Sequence, residues 1–133
     1  LETIDVANLN TPVQTVLSGL KTDIELATPI FEEKAKRFIA LNVSGAFHSR
    51  YMVEAQKEFE KTLDNCTFSA PKIPIVSNVT AQPYQNNAKA LLAAQISSPV
   101  QWVNTICFMK ENNVETFKEV GPGKVLTGLI RKI

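Results

Sequence analysis

Apolar and polar positions along this chain change their spacing several times, from alternation to helical periods and back. Ile4 to Asn8 and Val13 to Leu17 are short apolar runs separated by Leu9-Asn10-Thr11-Pro12, and the second ends at Ser18-Gly19. That pattern predicts strand, turn, strand and break. From Leu20 to Arg37 the apolar residues Leu20, Ile24, Ala27, Phe31 and Ala35 recur at helical spacing, with Pro29 inside the run. Thr28 before Pro29 has the form of an N-cap followed by a first-turn proline, so two short helices are expected.

Phe38 to Val43 is rich in branched and aromatic residues and predicts a strand that stops at Ser44-Gly45. Met52, Ala55, Phe59 and Leu63 fall three and four apart, which predicts an amphipathic helix from about Arg50 to Leu63. Its other face carries Glu54, Lys57, Glu58 and Lys61, an ordinary solvated surface. Pro71 and Pro74 lead into a very short strand that cannot begin before Ile75, because proline lacks the N–H a ladder needs. Ala88 to Gln95 reads as helix, and Ser98-Pro99 reads as the cap of another, with Val100, Val103, Ile106 and Cys107 on its apolar face to about Asn112 or Asn113. Thr116 to Val120 predicts a strand, Gly121-Pro122-Gly123 a tight turn, and Lys124 to Lys132 a closing helix with Val125, Leu126, Leu129 and Ile130 inward. Strands alternating with helices make this an α/β or α+β chain.

Composition narrows the classes. Of 133 residues, 44% are apolar and 20% charged, which excludes a disordered tail, a fibre and a coiled coil. Fourteen Lys and Arg against thirteen Asp and Glu leave a net charge of +1 without long blocks, so neither a nucleic acid nor an anionic membrane is expected as partner. No apolar run approaches the roughly 20 residues that span a bilayer. Leu1 to Asp5 lacks the basic-then-apolar form of a leader, and the expected compartment is the cytosol. Cys66 and Cys107 are far apart and have no metal-ligand spacing, so both are read as reduced, packed thiols. No metal or redox cofactor is expected. A chain this long can bury about two-thirds of its unfolded surface, so size permits an independent domain.

His48 is the only histidine, which makes it the first candidate for a general base. Without a nucleophile, however, a lone histidine near a strand end is more often a structural or surface residue. Ser44, Ser49, Ser77 and the two cysteines are the candidate nucleophiles, and none stands in a G-x-S-x-G elbow. Gly121-Pro122-Gly123-Lys124 fails as a phosphate loop: Val125 stands where Ser or Thr is needed and the leading glycine is absent. Gln95 to Trp102 joins two expected helices. Its sole tryptophan reads as a loop anchor, or the connection turns a carbonyl inward to orient a histidine; spacing leaves both open.

Several blocks together carry a resemblance. Val6-Ala7-Asn8-Leu9-Asn10 with Gln14 to Gly19, Gly45-Ala46-Phe47-His48-Ser49 with Met52, Ser77-Asn78-Val79, Gln95 with Pro99-Val100 and Trp102, and Glu119 to Leu126 occur in that order across nearly the whole chain. In this order they resemble the C-terminal half of malonyl-CoA:acyl-carrier-protein transacylases, and most of all the discrete trans-acting acyltransferases of polyketide synthases. The resemblance implies an α/β fold: residues 1–43 as part of an inserted ferredoxin-like small subdomain, and residues 44–133 as the C-terminal part of a large α/β-hydrolase-like subdomain.

The resemblance also implies ping-pong transfer of malonyl from coenzyme A to the phosphopantetheine thiol of an acyl-carrier protein through an acyl-serine. His48 matches the general base, and the Gln95 carbonyl is implied as acceptor of the other ring N–H, replacing the Asp of a triad. Phe47 matches the bulky residue that precedes the histidine in malonyl-selective members. Steric rejection of one methyl is worth about 1–3 kcal/mol. Gly45 departs from the His of the common H-A-F-H form, a departure that bears on selectivity. Asn8 and Asn10 match a polar stretch near the cleft and serve equally well as turn residues. The nucleophile elbow, the carboxylate-binding arginine and an oxyanion-hole glutamine belong to the family's first half, whose motifs this sequence lacks, so an N-terminal half is implied as partner. Two competing readings are a noncatalytic carrier-protein-binding module and an acyl-thioester hydrolase of the same family.

Overall fold

The computed structural model describes residues 2–133; Leu1, included in the leader reading and in the 1–43 division, lies outside the described residues. Strands β1 (Ile4–Thr11) and β2 (Gln14–Gly19) form an antiparallel hairpin. The expected turn shrinks to Pro12-Val13, because Leu9 pairs with Thr15 and Thr11 with Gln14, the register shifting at Asn10 between them, and the Val13 N–H bonds Thr11 Oγ1 at 3.3 Å. Asp5 lies opposite Ser18 and Val6 opposite Leu17, after which Ala7 breaks the register. The other edge of β1 is taken by Val100: its N–H donates to Ala7 O at 2.8 Å and its carbonyl accepts from Leu9 N at 2.9 Å.

Helix α1 (Lys21–Lys34) is continuous through Pro29, correcting the expectation of two helices. Proline removes only the bond to the Glu25 carbonyl, on the exposed side of the helix, while Thr28 Oγ1 donates back to Ile24 O at 2.8 Å instead of capping a new helix. Buried Ala27 allows close packing against the hairpin. A 3-10 turn (Arg50–Met52) leads into α2 (Val53–Asp64). Leu63 is its buried residue, Phe59 and Met52 are half-buried, and Ala55, expected inward, is exposed. The short α3 (Ala88–Ala94) packs on α2 and buries Ala93.

Helix α4 (Trp102–Glu111) begins later than Ser98-Pro99, because Val100 is engaged in strand pairing with β1 and cannot be helical. It lies against β1 and buries Ile106, the largest fully buried side chain. Helix α5 (Val125–Ile130) is shorter than expected and buries Leu129; Val125 and Leu126 are exposed, correcting their inward assignment. Cys66 and Cys107 are unpaired as expected, but both are exposed and not packed, Cys66 just beyond the end of α2 and Cys107 on the helix Trp102–Glu111.

Two of the expected strands do not form. Residues 38–43 and 116–120 run without sheet partners, and the stretch after Pro74 makes only an isolated bridge, Val76 to Pro83. Strand structure needs a neighbour to accept its hydrogen bonds, and among the described residues these segments have none. Their apolar side chains stand in solvent: Ile39, Leu41 and Val43 are 56–61% exposed, and Val120 is 89% exposed. The accessible surface is 9656 Å², against about 6,900 Å² expected for a self-contained monomer of 14.7 kDa. The permission that size gave is not taken up: this chain leaves surface uncovered that an independent domain would bury.

Candidate active site

Three connections converge on one corner of the fold: the hairpin, the Gly45-to-Arg50 turn and the loop after α3. His48 sits in the middle of the turn with φ of 58°, the left-handed region that side chains other than glycine avoid. Such a backbone costs about 1–3 kcal/mol and persists only where surrounding contacts determine it. Those contacts are present on both sides. Ser18 Oγ donates to the Phe47 carbonyl at 2.8 Å, just before the histidine. Just after it, Ser49 is 1% exposed; its hydroxyl donates to Ala46 O and accepts the Tyr51 N–H at 3.3 Å, capping the 3-10 turn.

The Asp5 carboxylate then accepts the backbone N–H of Arg50 at 2.9 Å and Arg50 Nε at 3.0 Å, with Nη2 bonded to the same group. Tyr51 Oη adds a bond to Thr3 O at 2.8 Å. The Arg50 guanidinium, chiefly by hydrogen bonding, holds the Asp5 carboxyl below the usual carboxylate range, and Asp5 in turn raises Arg50.

The His48 ring is half-buried, and its Nδ1 lies 2.8 Å from the carbonyl oxygen of Gln95. A carbonyl only accepts, so Nδ1 carries a proton, and the neutral tautomer compatible with this contact has its lone pair on Nε2. Of the two readings of the Gln95-to-Trp102 connection, the carbonyl turned toward a histidine is the observed one. Helix α2 supports this loop: Gln56 Oε1 accepts the hydroxyl of Ser97, and Gln56 Nε2 donates to Glu60 at 2.8 Å. Trp102 is half-buried, with its Nε1 enclosed and without a hydrogen-bond partner among the described residues.

His48, Ser49, Arg50, Asp5, Val6 and Pro99 line an open cleft of about 360 Å³. His48 and Gln95 are therefore brought together. Phe47 is adjacent in sequence, 46% exposed, and stacks over Gly45, where an added Cβ would meet the ring at 3.7 Å. Asn8 and Asn10 stay on β1, half-buried, outside the cleft lining; the hairpin faces the cleft through Asp5 and Val6. Ser49 and Ser77 are ruled out as nucleophiles by burial, and Ser77 Oγ accepts the Val79 N–H at 3.2 Å. The anchors Asp5, Ser18 and Arg50 were missed from sequence, being 29 and 45 positions from what they hold. No group of metal-binding side chains occurs among the described residues.

The Gly121-Pro122-Gly123 turn uses φ of 141° and 87° at its glycines. Glu119 reaches over it: its carboxylate accepts the N–H groups of Leu126 and Thr127 at 3.1 and 2.9 Å and the Thr127 hydroxyl at 2.7 Å. The Thr127 side chain chiefly holds Glu119 below its ordinary pKa. The protein's own carboxylate thus fills the place a phosphate would need, in keeping with a plain turn.

No protein-family model matches the chain, whereas individual relatives do. It is 52% identical over 136 residues to the polyketide biosynthesis malonyl CoA-acyl carrier protein transacylase BaeC of Bacillus velezensis, covering 100% of this chain and 47% of that protein. The crystal structure of MCAT from Streptococcus pneumoniae superimposes with a TM-score of 0.92 at 37% identity, over 97% of this chain and 43% of that one. A type II PKS acyl-carrier protein in complex with its malonyl-transacylase, PlMCAT:AntF, matches with a TM-score of 0.92 at 33% identity, over 97% of this chain and 43% of that one. The chain spans about half the length of the transacylases it matches. With an α/β fold that follows theirs throughout, the chain closely matches the malonyl-CoA:acyl-carrier-protein transacylase family, and the discrete acyltransferases of polyketide synthesis within it.

Proposed function

We propose that this chain is the histidine-bearing half of an acyltransferase that moves malonyl from coenzyme A to the phosphopantetheine thiol of an acyl-carrier protein. The observation that carries this reading is the 2.8 Å contact between His48 Nδ1 and the Gln95 carbonyl, in a ring whose Nε2 is free to take a proton. A serine from a preceding half attacks the thioester carbonyl while Nε2 removes its proton. The tetrahedral oxyanion collapses, the C–S bond breaks, and the proton passes from Nε2 to the departing coenzyme A sulfur. In the second half-reaction Nε2 takes the proton of the carrier thiol, whose sulfur attacks the acyl-serine carbonyl; the serine C–O bond breaks and Nε2 returns the proton to the serine oxygen. The Gln95 carbonyl stabilises the transient imidazolium by its dipole without adding a third charge.

In this reading residues 1–43 belong to a ferredoxin-like insert and residues 44–133 to the large α/β-hydrolase-like part. The nucleophile, the carboxylate clamp and the partner strands for residues 38–43 and 116–120 come from the N-terminal half. Phe47 restricts the acyl pocket to an unbranched malonyl, whereas Asn8 and Asn10, outside the cleft lining, are given no substrate contact in this reading. Carrier-protein recognition is supported by the likeness to the carrier–transacylase complex. Among the described residues no helix is long and apolar enough to cross a membrane, which supports the cytosolic reading. No cofactor enters the reaction; the phosphopantetheine arm belongs to the substrates.

With both halves present, His48→Ala is expected to lower malonyl transfer by about 10²- to 10⁴-fold. Steady-state transfer to carrier protein measures this, and transfer at the unaltered rate would refute the assignment. Comparing transfer with thioester hydrolysis in the same assay separates the acyltransferase from a hydrolase, and inactivity of the joined halves with intact carrier binding would favour a noncatalytic module.

A further inference from the structure

The two side chains that grip the His48 turn come from one place. Asp5 and Ser18 are direct cross-strand partners in the hairpin. From that single pair, Ser18 Oγ holds the Phe47 carbonyl at 2.8 Å and Asp5 holds the Arg50 N–H at 2.9 Å and its guanidinium. The anchored main-chain groups lie one residue before and two residues after the histidine. Between them the backbone is left-handed, with φ of 58°. A chain released at either end would relax toward ordinary φ and swing the ring away from Gln95, because a rotation at the Cα of His48 moves the whole imidazole.

We infer that the cross-strand pair Asp5 and Ser18 is a two-point clamp that positions the His48 ring on the Gln95 carbonyl. Neither residue touches the reacting atoms; both are positioning residues. Arg50 completes the clamp by locking the Asp5 carboxylate in the orientation that accepts its own backbone N–H, so the ion pair serves geometry at an otherwise solvated site. The inference deepens the acyltransferase reading and rests on it.

The test uses the joined halves, with Asp5→Asn and Ser18→Ala as the disrupting variants and Ser18→Thr as the conservative one. Each disrupting variant is expected to lower kcat for malonyl transfer about tenfold with KM for malonyl-CoA within twofold. The double variant should lose less than the product of the two, because both act on one turn. Ser18→Thr, which keeps the hydroxyl, should return kcat to within twofold. In proton NMR the hydrogen-bonded Nδ1–H resonance of His48, identified by its loss in His48→Ala, should broaden or move upfield in the disrupting variants. Folded variants with unchanged kcat and an unmoved resonance overturn the clamp, as does a lowered Tm with unchanged kcat below it. If Asp5→Asn does not fold, Ser18→Ala, which removes one neutral hydroxyl, decides the matter. Full transfer activity in His48→Ala would instead defeat the acyltransferase reading itself, so the two failures are distinct.

Discussion

The corner around His48 and the segments 38–43 and 116–120 stand at opposite ends of one scale. In the first, groups along the turn find partners: Ser18 with Phe47, Ser49 with Ala46, Asp5 with Arg50, His48 with Gln95. In the second, extended backbone and apolar side chains face water, Val120 almost completely. The contrast teaches that local geometry of the histidine is complete within this chain, whereas the sheet around it is not. Preorganisation of one side chain and closure of the fold are separate problems, solved by different stretches of sequence.

The packed side of the molecule carries the largest expected effect. Ile106 is 1% exposed between α4 and β1, so Ile106→Ala should destabilise the chain by about 2–5 kcal/mol. Urea unfolding would measure it; a change below about 0.5 kcal/mol would mean that this corner is no better packed than the segments. On the other side, Leu41→Asp should shift the stability of the separate chain by no more than about 0.5 kcal/mol, the usual range for surface sites. The same change should weaken association with an N-terminal half at least tenfold, measured by titration of one half with the other. Equal binding by the variant would show that the 38–43 segment is not part of the covered face.

Acid gives a smaller and graded effect. Asp5 and Glu119 both titrate below their ordinary values, one through Arg50 and the other through Thr127. A lowered folded-state pKa contributes stability that is present above the unfolded value, about 4, and is lost as pH falls through the lower folded value. Stability should therefore be level with respect to these two groups at neutral pH and decline below about pH 4. Thermal melts across that range should show a shallower decline in Asp5→Asn and in Glu119→Gln. An unchanged slope would remove both carboxylates from the account.

The hairpin, α2 and α3 were legible, and α5 in its place though not in its length or inward face, because their signals are local: apolar period and turn residues. Pro29 was misleading because a proline in an exposed turn of helix leaves its carbonyl to water, an outcome that spacing does not distinguish from a break. Residues 38–43 carry a strand's composition, but a strand exists only with a neighbour, and composition does not record whether one is at hand. Val100 shows the converse, since its pairing with β1, at residues 7 and 9, delays α4 through contacts remote in sequence. At the site, His48 stood out as the only histidine, and its Gln95 partner followed from family resemblance, because a backbone carbonyl has no residue-type signature. Asp5 and Arg50 were two ordinary charges in a sequence with 27 of them, and only the folded hairpin brings them to one turn.

The most direct measurement is an intact-mass spectrum, under denaturing conditions, of the two halves combined and briefly exposed to malonyl-CoA. The account predicts a malonyl adduct on the N-terminal half alone, formed slowly or not at all when this chain carries His48→Ala. An adduct on this chain, or equal labelling with His48→Ala, would contradict it.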